Sequence, residues 1–181
     1  ITINISSPNT EGLRDFHEQE KLKDLLVSLN AIKKEKKIKI PLVLKISPDI
    51  TDDYISEITD VAVKNYISAI ILTNTTSGNR DNLVSESKRE KGGLSGEPMQ
   101  QISNNMIRKF YKKLSGKIPI IGVGGVNSGK SAYEKIIAGA SLLQLYTGLI
   151  YSGPSVAKNI KKELIQILKD EGISNIQDAI G

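Results

Sequence analysis

The sequence predicts an α/β fold, a (β/α)8 barrel of which this chain supplies about the last five βα units. Two observations predict it. Near-continuous apolar runs alternate with amphipathic stretches, as in a parallel sheet covered by helices. Each apolar run carries polar residues or glycine at its C-terminal end: Ser6-Ser7, Lys45 with Ser47, Thr73-Asn74-Thr75, Gly124-Gly125 and Tyr146-Thr147. Ligand groups fed from many strand ends are the barrel pattern, whereas a doubly wound sheet gathers them at one crossover.

The first strand is read from about Ile1 to Ser6, and a helix from about Glu18 to Lys36. Pro41 to Ser47 is the second strand. Its helix starts near Thr51-Asp52-Asp53, with Thr51 as N-cap and acids in the first turn, and runs to about Asn65. The third strand is Ala69 to Thr75. A long polar loop follows from Thr76 to about Glu97, and loops of that length are often functional. A helix runs from about Pro98 to Leu114, with proline in its favoured first turn. Pro119 to Gly125 is the fourth strand and Ser128 to Ala138 its helix. Ser141 to Thr147 is the fifth strand, and Pro154 opens a last helix that ends near Gly172. An open barrel would expose strand edges and inward apolar side chains. The chain therefore reads as a piece of a longer protein, with three more units expected on another chain segment or a partner.

Composition narrows the function. The chain has no Cys, which removes disulfides and thiolate metal ligands and fits a reducing compartment. The net charge is +5 and the pI about 9.2. Much of this comes from Lys33-Lys-Glu-Lys-Lys-Ile-Lys39, which reads as a solvated helix end. No aromatic residues interleave with these lysines, so nucleic acid is not an expected partner. No apolar run reaches the roughly 20 residues of a membrane span.

The densest polar constellation is Asn4-Ile-Ser-Ser-Pro-Asn-Thr10, whose amides and hydroxyls suit a small, planar, polar ligand. Lys45, among Leu42, Val43, Leu44 and Ile46, reads either as a side chain snorkelling to water or as a fixed cation beside an electron-rich cofactor or phosphate. Gly122-Val-Gly-Gly125 ends a strand and enters a helix, where bare backbone N–H groups can approach a phosphate. Tyr146-Thr147-Gly148 strengthens that reading, because barrels build their phosphate site after the last two strands. His17, the only His, reads as a surface residue at a helix start, and no His adjacent in sequence supports Ser7. Asn4-Ile-Ser6 and Asn74-Thr-Thr76 match the glycosylation sequon by chance, since both lie at strand ends inside a barrel.

With these residues placed, the chain resembles the dihydroorotate dehydrogenases, specifically their class 2, quinone-linked branch. The resemblance runs in order through Asn4-Ile-Ser-Ser-Pro-Asn-Thr10 with Gly12-Leu-Arg14, and Leu44-Lys-Ile-Ser-Pro-Asp49. It continues through Thr73-Asn-Thr-Thr76, Gly92-Gly-Leu-Ser-Gly-Glu-Pro98, Ile120-Ile-Gly-Val-Gly-Gly125 and Gly139-Ala-Ser-Leu-Leu-Gln-Leu-Tyr-Thr147. It implies oxidation of dihydroorotate to orotate in pyrimidine synthesis, with FMN bound and quinone as its oxidant. By position, Ser7 matches the catalytic base, and Ser rather than Cys there favours class 2. Thr10 matches a proton relay. Asn4, Asn9, Asn74 and Thr75 would bind orotate. Asn4, Lys45, Thr73, Ser95 and Gly96 would contact the flavin, and Gly124, Gly125, Tyr146 and Thr147 would hold its phosphate. Glu97 stands where a basic residue is common. No metal is implied. The loop from Thr76 to Glu97, or the one after Ser7, is the expected lid.

The resemblance also implies N-terminal helices that form a quinone tunnel and a peripheral membrane contact, on the cytoplasmic face of the bacterial inner membrane. Those helices and the first three strands are not in this chain. Two readings compete: another FMN barrel oxidoreductase acting on a pyrimidine, such as the dihydropyrimidine dehydrogenase flavin domain, and an inactive truncated fragment or half-barrel. Ser7 argues against the first, since such enzymes carry Cys there. The abrupt start supports the second.

Overall fold

Five short strands pair in chain order in the computed structural model, which describes residues 1–78 and 80–181. They are β1 (Thr2–Asn4), β2 (Val43–Ile46), β3 (Ala69–Leu72), β4 (Ile120–Val123) and β5 (Leu142–Gln144). Every pairing is parallel, with Asn4 level with Lys45 and Ile71 with Ile121. The order never reverses, so the sheet has no switch point; it winds one way, as a barrel wall does.

Among the described residues, four α-helices join the strands, α1 (Gln19–Glu35), α2 (Asp52–Lys64), α3 (Met99–Leu114) and α4 (Gly129–Ile136), and two more, α5 (Thr147–Ser152) and α6 (Val156–Asp170), follow β5. Alternation along β2 sends Leu44 and Ile46 into the core and leaves Val43 and Lys45 on the opposite face. The main core lies between sheet and helices: Leu44, Ile46, Ile70, Leu72 and Ile120 meet Leu22, Leu26, Ile55, Ile58, Ile107 and Phe110. Each such side chain contributes roughly 1.5–3 kcal/mol by leaving water. The helix-covered face takes no polar side chain from β2, so the polar groups of this sheet fall on the opposite face, as Lys45 does, or at the strand ends.

Several boundaries differ from the sequence reading. The strands stop earlier, so their polar ends lie in loops. Thr147 opens α5, a six-residue helix too short to leave a periodic signal, and the last helix begins at Val156 rather than Pro154. Thr51 occupies the N-cap of α2, but its side chain makes no capping hydrogen bond, which leaves Asp52 and Asp53 to complement the helix dipole. By contrast Ser128 and Ser131 form a reciprocal capping box on α4. The loop after β3 holds a short 3-10 helix, Glu86–Arg89, and an isolated antiparallel bridge between Thr76 and Leu94. Residue 79 of that loop lies outside the described residues.

His17 is not a surface residue. It closes a 3-10 turn, Leu13–His17, and is 4% exposed. Burial pushes its pKa below the usual value, while a hydrogen bond to the Arg14 backbone partly offsets this and the Arg14 charge adds to it. Among the described residues, no helix is long and apolar enough to cross a membrane.

Candidate functional site

The C-terminal strand ends surround a cavity of about 720 Å³. Lys45 of β2 forms one wall, with Thr73, Asn74 and Thr75 after β3. The segment Gly92 to Pro98, the Gly124-Gly125 turn after β4, and Tyr146 and Thr147 at the start of α5 complete it. Parallel pairing brings residues this distant in sequence to one rim.

Asn74 is the best-anchored group on that rim. Its Nδ2 donates to Ser6 Oγ at 3.0 Å and to Asn4 Oδ1 at 3.3 Å. Ser6 Oγ donates in turn to Asn4 Oδ1 at 2.8 Å, and Asn74 Oδ1 accepts from the Thr75 N–H at 2.8 Å. The network fixes which face of the Asn74 amide donates and which accepts. Ser6, fully buried at its centre, was given no role by sequence reasoning; its place inside the polar run was the available signal.

Lys45 is half-buried and, among the described residues, nothing pairs with its ammonium. Burial alone pushes its pKa below the usual lysine value. The unpartnered cation therefore points to an anionic or electron-rich ligand rather than to an internal ion pair.

Gly124 and Gly125 have φ of 116° and 77°. A Cβ on Gly125 would stand 2.8 Å from Gln100 Cα, so only glycine lets the turn press against the start of α3. The Gly124 and Gly125 N–H groups have no acceptor among the described residues, which leaves two donors for an anion. Across the cavity, Thr147 Oγ1 donates to Ser95 Oγ at 3.1 Å, and a Cβ on Gly96 would lie 3.0 Å from Thr147 Cγ2. Tyr146 is 74% exposed.

Ser7 sits outside this cavity wall, as do Asn9 and Thr10. Ser7 Oγ accepts from the Asn9 N–H at 3.2 Å and from the Thr10 hydroxyl at 3.4 Å. The neighbouring Pro8 reaches the rim: a Cβ on Gly93 would meet Pro8 Cγ at 3.2 Å and collide with the Thr75 side chain. So Asn74 and Thr75 line the cavity, Asn4 lies outside its wall and reaches it only through its hydrogen bond with Asn74, and the Ser7–Thr10 turn stands beside it.

A second polar cluster was also missed. Arg14 Nη2 meets Asp49 Oδ2 at 3.0 Å, and Arg14 Nη1 donates to Ser77 Oγ at 3.0 Å. The Ser77 N–H and the Thr76 hydroxyl also donate to Asp49. Burial would raise the Asp49 pKa, but these donors and the Arg14 charge together hold it below the usual carboxylate value.

Comparison with known proteins adds to this geometry. Residues 1–168 match the family model of dihydroorotate dehydrogenase. The chain is 45% identical over 166 residues to a dihydroorotate dehydrogenase (quinone) of Christiangramia forsetii, covering 92% of this chain and 48% of that protein. It is 45% identical over 186 residues to the mitochondrial dihydroorotate dehydrogenase (quinone) of Mus musculus, covering 100% of this chain and 46% of that one. The crystal structure of DHODH from Eimeria tenella in complex with ferulenol aligns with a TM-score of 0.94 at 38% identity, over 99% of this chain and 52% of its own. The chain thus spans about half the length of the curated relatives it matches.

Proposed function

This chain belongs to the dihydroorotate dehydrogenase family, its quinone-linked branch, and we propose that its cavity serves the oxidation of dihydroorotate to orotate in pyrimidine synthesis, with FMN bound and quinone as the final acceptor. The observation that carries this is Asn74. Its carboxamide is locked in orientation at the rim of a cavity whose other side is a glycine turn with free N–H donors. A planar imide needs such a fixed donor–acceptor pair, and a phosphate needs such a turn.

The residues fit FMN on two counts. The cavity volume falls within the ~300–1,000 Å³ usual for small-molecule sites. The unspent Gly124 and Gly125 N–H groups, with Thr147 Oγ1 nearby, suit a phosphate. When bound, FMN would supply the two-electron acceptor for the substrate.

In this reading Gly124, Gly125, Tyr146 and Thr147 hold the phosphate. Lys45, Thr73, Ser95 and Gly96 line the flavin side, with Lys45 supplying positive charge, and Asn4 would contact the flavin from beside Asn74. Asn4, Asn9, Asn74 and Thr75 orient the substrate ring and carboxylate. Ser7 takes the proton from C5, and Thr10 passes it outward. The two hydrogen bonds that Ser7 Oγ accepts support this role, because they stabilise negative charge on the oxygen. Ser7 stands beside the cavity, and in this reading its turn, or the 76–97 loop, closes over bound substrate as the lid.

The chain supplies five units of the barrel in this reading, with the others on a further segment. Quinone is lipid-soluble, which supports a peripheral place at a membrane; the cytoplasmic face of a bacterial inner membrane is the place that the family resemblance implies. Orotate titration of the whole flavoprotein tests the site. Asn74→Ala should weaken orotate binding by about 10–100-fold, a loss of about 1.5–3 kcal/mol for hydrogen bonds to a charged ligand, while flavin is retained. Unchanged orotate affinity would remove Asn74, and with it this reading of the rim.

A further inference from the structure

Lys135 is the only Lys, Arg, Asp or Glu that is buried among the described residues, and it is 0% exposed. It sits on α4, on the same face as Ala132 and Ile136. Its ammonium donates to Asn104 Oδ1 at 2.8 Å and to Ser103 Oγ at 3.1 Å, both neutral groups on α3. Among the described residues no carboxylate pairs with it. A buried ammonium without a counter-ion is costly, so its place calls for something that repays the desolvation.

The surroundings are shaped to admit it. A Cβ on Gly122 would stand 2.7 Å from Lys135 Cγ and Cδ, so β4 is bare where the lysine stem passes. Ser103 Oγ, which receives the ammonium, lies 2.7 Å from the Val123 carbonyl and 3.3 Å from the Leu72 carbonyl. Those carbonyls immediately precede Gly124 and Thr73. A Cβ on Gly124 would lie 3.2 Å from Ser103 Cβ. The lysine therefore stands behind the glycine turn, one serine away from it.

We propose that Lys135 is a buried counter-charge for the phosphate held at Gly124-Gly125, and that through Ser103 it positions the β3 and β4 ends that carry the turn. This rests on reading the turn as the FMN phosphate site. In a low-dielectric interior a fixed charge acts over longer distances than in water, and a dianionic phosphate on the far side of one turn would feel it. Burial pushes the Lys135 pKa down to about 8, which leaves the ammonium protonated at neutral pH.

The test compares FMN with riboflavin, which lacks the phosphate, in titrations of the flavin-stripped whole protein near pH 7. Lys135→Met keeps the stem and deletes the charge. It should weaken FMN by about tenfold and riboflavin by less than about threefold. Asn104→Asp is a second variant that keeps the lysine and neutralises it in place, and the same selective loss is expected. Equal weakening of both flavins, or an unchanged FMN-to-riboflavin ratio in Asn104→Asp, would overturn the proposal and leave Lys135 a packing residue. If the unaltered protein bound riboflavin as tightly as FMN, the phosphate site itself would be wrong.

Discussion

The Arg14 guanidinium meets the Asp49 carboxylate at 3.0 Å and so ties the loop after β1 to the loop after β2. Thr76 and Ser77 bring the loop after β3 to the same carboxylate. One acid thus braces three loops that flank the candidate substrate side. The two side chains are 31% and 23% exposed, so solvent weakens the pair without removing it.

Asp49→Asn should lower unfolding stability by about 1–3 kcal/mol at pH 7, through lost charge-assisted hydrogen bonds. The pH dependence follows from a carboxyl held below its usual value. Its contribution is complete above the unfolded pKa of about 3.9 and is lost as pH falls through the lower folded value. Denaturant melts of both proteins should show a constant gap from pH 7 to 5 that narrows below about pH 4. A gap that stays constant to pH 3 would separate Asp49 from this role.

Removing the Ser7 hydroxyl should slow flavin reduction by about 10²–10⁴-fold, the range of general acid–base catalysis, with flavin still bound. Thr10→Ala removes the donor 3.4 Å from Ser7 Oγ and should have a smaller effect in the same direction. Rapid-mixing kinetics of the oxygen-free whole protein with dihydroorotate measure both. Unchanged rates in Ser7→Ala would take the serine out of the chemistry.

Gly125→Ala forces a side chain onto φ of 77° and into the Gln100 backbone. About 1–3 kcal/mol of strain should fall on the proposed phosphate turn, so flavin content after purification should drop well below that of the unaltered protein. Full flavin occupancy would show that the turn is not part of the cofactor site.

Lys135 carries a stability signature of its own. Burial pushes its pKa to about 8; the charge of Glu134 draws it back up, and that of Arg108 lowers it further. Between about pH 8 and 10.4 the unfolded chain binds the proton and the folded one releases it, so stability rises with pH across that window. In the flavin-free whole protein this gain, relative to Lys135→Met, should approach about 3 kcal/mol. Parallel stability curves for the two proteins from pH 7 to 10 would contradict a buried, titrating lysine.

Much of this was legible in the sequence because buried parallel strands read as near-continuous apolar runs with polar residues at their ends. Leu44, Ile70 and Ile120 lie in the apolar runs that became core, and Lys45, Asn74 and Gly124 mark the ends that became the cavity wall. Contacts between loops left no such trace. Asp49 and Arg14 stood in two motifs of the resemblance, but nothing in the sequence paired them, and the fold sets them 3.0 Å apart. His17 was misplaced because its 3-10 turn has no helical period to show which face is inward. Lys135 could have been found: its spacing from Ala132 and Ile136 puts it on the apolar face of α4, but a lysine there is read by habit as solvated.

The most direct test is the visible spectrum of the whole protein under anaerobic conditions, before and after dihydroorotate is added. The account predicts an oxidised flavin band that bleaches on addition. A flavin band that persists with dihydroorotate present would contradict the proposed substrate, and a colourless protein that takes up no FMN would contradict the cofactor site on which the account is built.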